Sequence, residues 1–299
     1  FLFFLGQTLT KGETMKNLGG KVAVITGGAS GLGRAFAQRF AAQGMKLALA
    51  DIEEPVLEAT VAELRASGTE VIGVPCDVSD QASVQNFHQQ VMETYGAAHV
   101  LCLNAGVAGG GTIAELTAAQ WDWVLGVNLY GIIYGLEAFL PGLLTQDDGH
   151  VVLTASVAGH TSHAGMAPYN ASKHATVTIA ETLFAELRQE DSAVGVSCLC
   201  PGFVATNIFV SDRNQPEELT DALAEPPSQE DGIRRAAIME YMQANALRPE
   251  TVADLVHEAV LDKKFWIFTD EEHLATIATR HEEIRYQSDP TAESIFDNI

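Results

Sequence analysis

Short, largely apolar runs alternate with longer amphipathic stretches along nearly the whole chain, and this alternation constrains the architecture more than any other feature. The runs KVAVIT (21–26), KLALA (46–50), EVIGVP (70–75), HVLCL (99–103), HVVLTA (150–155), VGVSCLC (194–200) and FWIFT (265–269) read as buried strands. Helices are expected near 31–43, 53–66, 80–95, 117–145, 169–190 and 251–262. Strands that are nearly continuously apolar, not apolar on alternate residues, belong to parallel sheets covered on both faces. Right-handed crossovers then give an α/β, doubly wound parallel sheet, with ligands beyond the carboxyl ends of its strands.

One segment breaks the rhythm. Residues 203–250 are rich in Pro, Glu and Asp, contain AEPPSQED, and read as a lid-like insertion after the sixth strand. The rest fits a single domain over 15–299. Met15 directly precedes the patterned region, so residues 1–14 read as a leader or added segment. FLFFLG is apolar but lacks a preceding basic region and is too short for a signal sequence.

Asp and Glu number 39 against 17 Lys and Arg, a formal net charge of −22. Such a surface repels nucleic-acid phosphates and anionic lipid, so neither partner is expected. No stretch of about 18 uncharged apolar residues suggests a membrane span. Cys76, Cys102, Cys198 and Cys200 form no CxxC pair. That usage suits buried thiols in a reducing, cytoplasmic setting and not a disulfide framework or metal site.

Directly after the first strand comes TGGASGLG, Thr26 to Gly33, opening the first helix. Gly27, Gly31 and Gly33 let the backbone turn tightly and approach a pyrophosphate seated on helix N-terminal amides. Asp51 closes the second strand, 18 residues beyond Gly33. A carboxylate there accepts from adenosine ribose hydroxyls and repels a 2′-phosphate, which favours NAD without excluding NADP. The same Asp also suits a helix cap, and the two roles are compatible. Arg34 is the nearby cation that would favour NADP. Tyr169 and Lys173, four apart in PYNASKHATVTIA, share one helix face. Ser156 ends the fifth strand, and Asn128 lies in the preceding helix.

Together these motifs resemble the compact short-chain dehydrogenase/reductases, a family with the Rossmann fold. The matching motifs are TGGASGLG, CDV with Asp77, LNAG from Asn104, VNLYG with Asn128, Ser156, YNASK and PGFVAT from Pro201 to Thr206. LNAG departs from the commoner double-Asn form but keeps Asn104. The resemblance implies an NAD(P)-dependent enzyme interconverting a secondary alcohol and its ketone. Its catalytic residues would be Asn128, Ser156, Tyr169 and Lys173. Tyr169 would be the general acid/base and Ser156 the substrate-oxygen partner. Lys173 would hold the nicotinamide ribose and lower the Tyr pKa, and Asn128 would anchor a relay water. Cofactor contacts would come from Gly27, Ser30, Gly31, Leu32, Gly33, Asp51, Asp77, Val78, Asn104, Ala105 and Gly106. Tyr169, Lys173, Pro201, Gly202, Val204 and Thr206 would complete them. The family also implies a homotetramer or homodimer, built partly through helices near 120–145 and 169–190.

Small residues dominate the loops VAGHTSH (157–163) and VAGGGT (107–112), which leaves room for a bulky, apolar substrate. His160 and His163 are candidates to touch it. Two alternatives remain: an NADP-dependent ketoacyl-carrier-protein-type reductase, and a non-catalytic nucleotide sensor. The first needs a basic patch that a charge of −22 does not suggest, and the second should have lost one of Ser156, Tyr169 or Lys173. The glycine spacing disfavours a nucleotide-sugar epimerase.

Overall fold

The computed structural model describes residues 15, 17–216, 219 and 245–291. The leader expectation for 1–14, and most of the lid expectation beyond 216, lie outside the described residues. Seven strands form one parallel sheet: β1 (Val22–Thr26), β2 (Lys46–Asp51), β3 (Val71–Pro75), β4 (Val100–Leu103), β5 (His150–Thr154), β6 (Gly195–Cys200) and β7 (Trp266–Phe268). Their spatial order is β3-β2-β1-β4-β5-β6-β7. The chain runs outward from β1 to β3, then returns to lay β4 on the other side of β1. That reversal leaves a crevice between the ends of β1 and β4, where ligands of such sheets bind.

The covering helices are α1 (Gly31–Ala41), α2 (Glu54–Ala66), α3 (Gln81–Tyr95), α4 (Ala118–Leu125), α5 (Gly131–Gln146), α6 (Ala167–Gln189), α7 (Pro249–Asp262) and α8 (Glu272–Tyr286). Successive strand side chains point to opposite faces, so each apolar strand feeds two cores. Ala23, Ile25, Leu47 and Leu49 pack with Phe36 and Phe40 of α1 and Val256 and Val260 of α7. Val22, Val24, Leu101 and Leu153 pack with Phe87 of α3, Phe139 of α5 and Leu183 of α6. Burying a Phe or Leu fully contributes roughly 1.5–3 kcal/mol relative to exposure, so this double layer is the main stabilising element.

Each expected strand is present within one residue of its expected ends. Two differences matter. The helix expected over 117–145 is divided by a five-residue π-helical turn, Gly126–Tyr130, and Asn128 sits inside that turn. The span Ala118–Gln146 is also long and apolar enough to cross a membrane by length and composition alone. It packs against the sheet through Ile132, Phe139 and Leu143, while Tyr130, Ile133 and Leu144 stay exposed. The second difference is α8, a helix the sequence pattern does not announce.

Candidate active site

A cavity of about 460 Å³ opens at the crevice between β1 and β4. Its lining includes the expected catalytic and cofactor-contact residues except Gly33 and Asn128, which stand behind it.

At one end is the glycine turn. Gly27 and Gly31 adopt left-handed backbone, φ +65° and +50°, which a side chain would strain. A Cβ on Gly33 would overlap the Gly27 carbonyl, so Gly33 lets α1 close against the turn rather than touching a ligand. Ser30 caps α1 with extended backbone, yet its hydroxyl makes no capping bond, and the first turn holds no acidic residue. The α1 amides and this hydroxyl therefore suit an anion.

Asp51, at the end of β2, is buried. Its Oδ2 accepts from Ala29 N at 2.9 Å in the glycine turn, and Oδ1 from Glu53 N at 3.0 Å. Burial pushes its carboxyl pKa up, while these amides pull it down. The N-cap of α2 is Glu53, so Asp51 braces the turn before the helix. A carboxylate has about four accepting positions, so two amides leave room for ribose hydroxyls. Arg34 forms an ion pair with Glu63, away from Asp51. Asp77 accepts from Ser79 N at 2.9 Å and Ser79 Oγ at 2.7 Å, which fixes the turn after β3 beside Val78.

The other end gathers the expected chemistry. One turn of α6 carries Tyr169 and Lys173, both buried. Lys173 Nζ donates to Thr154 O at 2.9 Å and lies 5.5 Å from the centre of the Tyr169 ring. Ser156 Oγ donates to Pro201 O at 3.4 Å and accepts from Ala158 N at 3.2 Å. Burial pushes the Tyr169 phenol above its ordinary value, and the Ser156 hydroxyl opposes that. This direction is opposite to the lowering that the family resemblance implied. Burial also brings the Lys173 ammonium down to about 8. Asn104 ties the strand ends together: its Nδ2 donates to Thr26 O at 3.1 Å, and its Oδ1 accepts from Thr154 Oγ1 at 3.3 Å.

Asn128 is fully buried. Its Oδ1 accepts from Val107 N at 2.8 Å, and Nδ2 donates to Val107 O at 2.9 Å and Ser172 Oγ at 3.2 Å. Both amide hydrogens are committed, which leaves one accepting position on Oδ1.

His160 and His163 do not line the cavity. His160 packs on Trp266 and Phe268, ring centres 5.2 and 5.5 Å away, and sits 3.4 Å from Cys200 Sγ. His163 lies 3.0 Å from Thr161 Oγ1. Sequence reasoning missed Trp123, Met166 and His273 as lining residues. Met166 directly precedes α6 and was findable from its nearness to Tyr169; His273 reaches the cavity from α8 and left no signal. Phe203 and Phe209 line it from the expected lid.

Comparison with known proteins agrees with this architecture. A family model described as short chain dehydrogenase matches residues 21–217. The CLA biosynthesis dehydrogenase/reductase of Lactiplantibacillus plantarum is 33% identical over 267 residues, 89% of this chain and 93% of that protein. The C alpha-dehydrogenase of a Sphingobium species is 32% identical over 256 residues, 85% of this chain and 81% of that protein. A solved short chain dehydrogenase/reductase from Burkholderia phymatum, in complex with NAD, matches with a TM-score of 0.88 at 44% identity, covering 93% of this chain and 99% of that one.

Proposed function

The chain belongs to the short-chain dehydrogenase family, and on that premise we propose an NAD-dependent oxidoreductase that interconverts a bulky secondary alcohol and its ketone. One observation carries the reading: a single cavity runs from the glycine turn and Asp51 to the buried Ser156, Tyr169 and Lys173. The similar Burkholderia phymatum structure holds NAD, and the anion-ready start of α1 fits a pyrophosphate.

When bound, an oxidised nicotinamide supplies the hydride acceptor and a positive charge. The chain's own residues manage the proton. Ser156 holds the substrate oxygen, and Tyr169 Oη takes the alcohol proton or returns it to the ketone. Lys173 holds the nicotinamide ribose and carries positive charge near the phenol. Asn128 fixes the Val107 loop, and its remaining Oδ1 position takes a relay water. Asp51 selects NAD by accepting from the ribose hydroxyls, and the Arg34–Glu63 pair withholds the cation that NADP would need. The apolar wall of Val107, Trp123, Val127, Val157, Met166 and Phe203 suits a bulky apolar substrate.

Residues 15–299 act as one domain. Exposed Tyr130, Ile133, Leu144 and Phe184 on and beside α5 and α6 support a homodimer or homotetramer through these helices, and light scattering that shows only monomer refutes it. The central experiment is a panel of aryl, alicyclic and small polar alcohols assayed with NAD and with NADP by absorbance of the reduced cofactor. Turnover of bulky alcohols with NAD is expected. Turnover confined to small polar alcohols, or preferring NADP, overturns the corresponding half.

A further inference from the structure

Glu53 has no part in the reading above, yet it lines the same cavity as Asp51 and donates its N–H to Asp51 Oδ1 at 3.0 Å. Its carboxylate turns to the segment after β6. Arg213 Nη2 and Nε reach Glu53 Oε1 at 2.5 and 3.1 Å, and Asn214 Nδ2 reaches the same oxygen at 3.0 Å. Arg213 Nη1 donates to the carbonyls of Asn207 at 3.1 Å and Val210 at 2.8 Å. A guanidinium has five N–H donors, so these four bonds leave one. The Arg213 hydrogen bond holds the Glu53 carboxyl below its ordinary value, against the opposing effect of burial. The Glu53 carboxyl is therefore ionised at neutral pH.

A phosphate on the 2′-oxygen is recognised best by a guanidinium with two parallel donors free. Among the described residues, the Lys and Arg side chains lining the cavity are Lys173 and Arg213. Lys173 is buried beside Tyr169, so Arg213 is the cation on the Asp51 side. We propose that Glu53 is a second determinant of cofactor choice: by occupying and neutralising Arg213 it leaves the adenosine end with no free guanidinium. Arg213 is then a latent phosphate-binding residue. This rests on the reading of Asp51 as the ribose partner.

The test is calorimetric titration of wild type, Asp51→Ala, Glu53→Gln, Arg213→Gln and the Glu53→Gln/Arg213→Gln double variant. The ligands are NADH, NADPH, ADP-ribose and 2′-phospho-ADP-ribose. The last two lack nicotinamide, so they report the adenosine end alone. Glu53→Gln should shift the affinity ratio toward the 2′-phosphorylated ligands by about 10-fold, the order expected of one charged hydrogen bond. The double variant should lose that shift. A ratio within about twofold of wild type in Glu53→Gln overturns the proposal, and so does a shift that survives in the double variant. Asp51→Ala without loss of ADP-ribose affinity instead overturns the underlying ribose reading.

Discussion

Tyr169 is held between opposing influences that set when it can act. Burial raises its pKa, the Ser156 hydroxyl lowers it, and the nearby Lys173 ammonium is itself brought down to about 8. A raised phenol stays protonated at neutral pH, the state that donates to a ketone. Accepting an alcohol proton requires the phenolate, so alcohol oxidation should rise with pH above neutrality while ketone reduction does not. Tyr169→Phe should lower turnover by about 10²–10⁴ in both directions, the usual range for general acid/base catalysis, with dinucleotide affinity little changed. Steady-state rates and a binding titration check both halves; retention of most activity removes Tyr169 as the proton carrier. Gly33 answers to sterics instead. In Gly33→Ala the new methyl overlaps the Gly27 carbonyl, so the phosphate turn must open. Dinucleotide affinity should fall by about 10-fold or more, as if one charged hydrogen bond were lost. Unchanged affinity by titration would mean that α1 moves without disturbing the turn.

At the scale of elements, the π-helical turn Gly126–Tyr130 aims Asn128 at both backbone groups of Val107. Asn128→Ala leaves those buried groups without their partner, at about 1–3 kcal/mol for each group not re-satisfied. A domain of this size loses roughly 2–4 °C of Tm per kcal/mol, so calorimetry should show a clear fall, accompanied by lost turnover. Asn128→Asp should not rescue it, because a carboxylate cannot donate to Val107 O. A stable, active Asn128→Asp would show that the loop is held by other contacts. Such a turn is invisible in a sequence: a hydrogen-bond shift of one residue barely alters a helical apolar pattern. The strands were legible because nearly every residue is apolar, and Tyr169 with Lys173 because a four-residue spacing forces one face. Helix α8 was not, since Ile277 is buried while Leu274, Ile284 and Tyr286 face outward, leaving no apolar stripe. Without α8, His273 could not be placed beside the cavity. His160 was assigned toward substrate from its nearness to Ser156, but β7 supplies Trp266 and Phe268 to hold it, a pairing across more than 100 residues that local pattern cannot carry.

The whole molecule carries a charge of −22 at neutral pH, so mild acid first meets its histidines and then relieves carboxylate repulsion. Among the described residues, burial makes His88, His99, His150, His160 and His257 resist protonation, and the effect is largest at His150 and His160. His150 is wholly buried between β5 and β6, with Nε2 2.7 Å from Ser197 Oγ, and burial followed by the Lys263 charge brings its pKa down to about 3. Burial, followed by the charges of His174, His281 and Arg280, brings His160 down to about 4. A histidine whose folded pKa lies below its unfolded value of about 6.5 stabilises the fold fully above that value. The contribution is lost as pH falls from about 6.5 toward 4 and 3, because the unfolded chain binds the proton first. Exposed carboxylates titrate mostly near 4, so the interval from about pH 6.5 to 5 isolates the histidine effect. Tm should decline across that interval. His160→Phe keeps an aromatic ring against Trp266 and Phe268 but removes the titration. Its decline should be shallower by about 2–4 °C, the change that roughly 1 kcal/mol makes at this size. Scanning calorimetry of both proteins at pH 6.5 and 5 measures the difference. Parallel declines would show that His160 gains its proton in the folded state as readily as in the unfolded one.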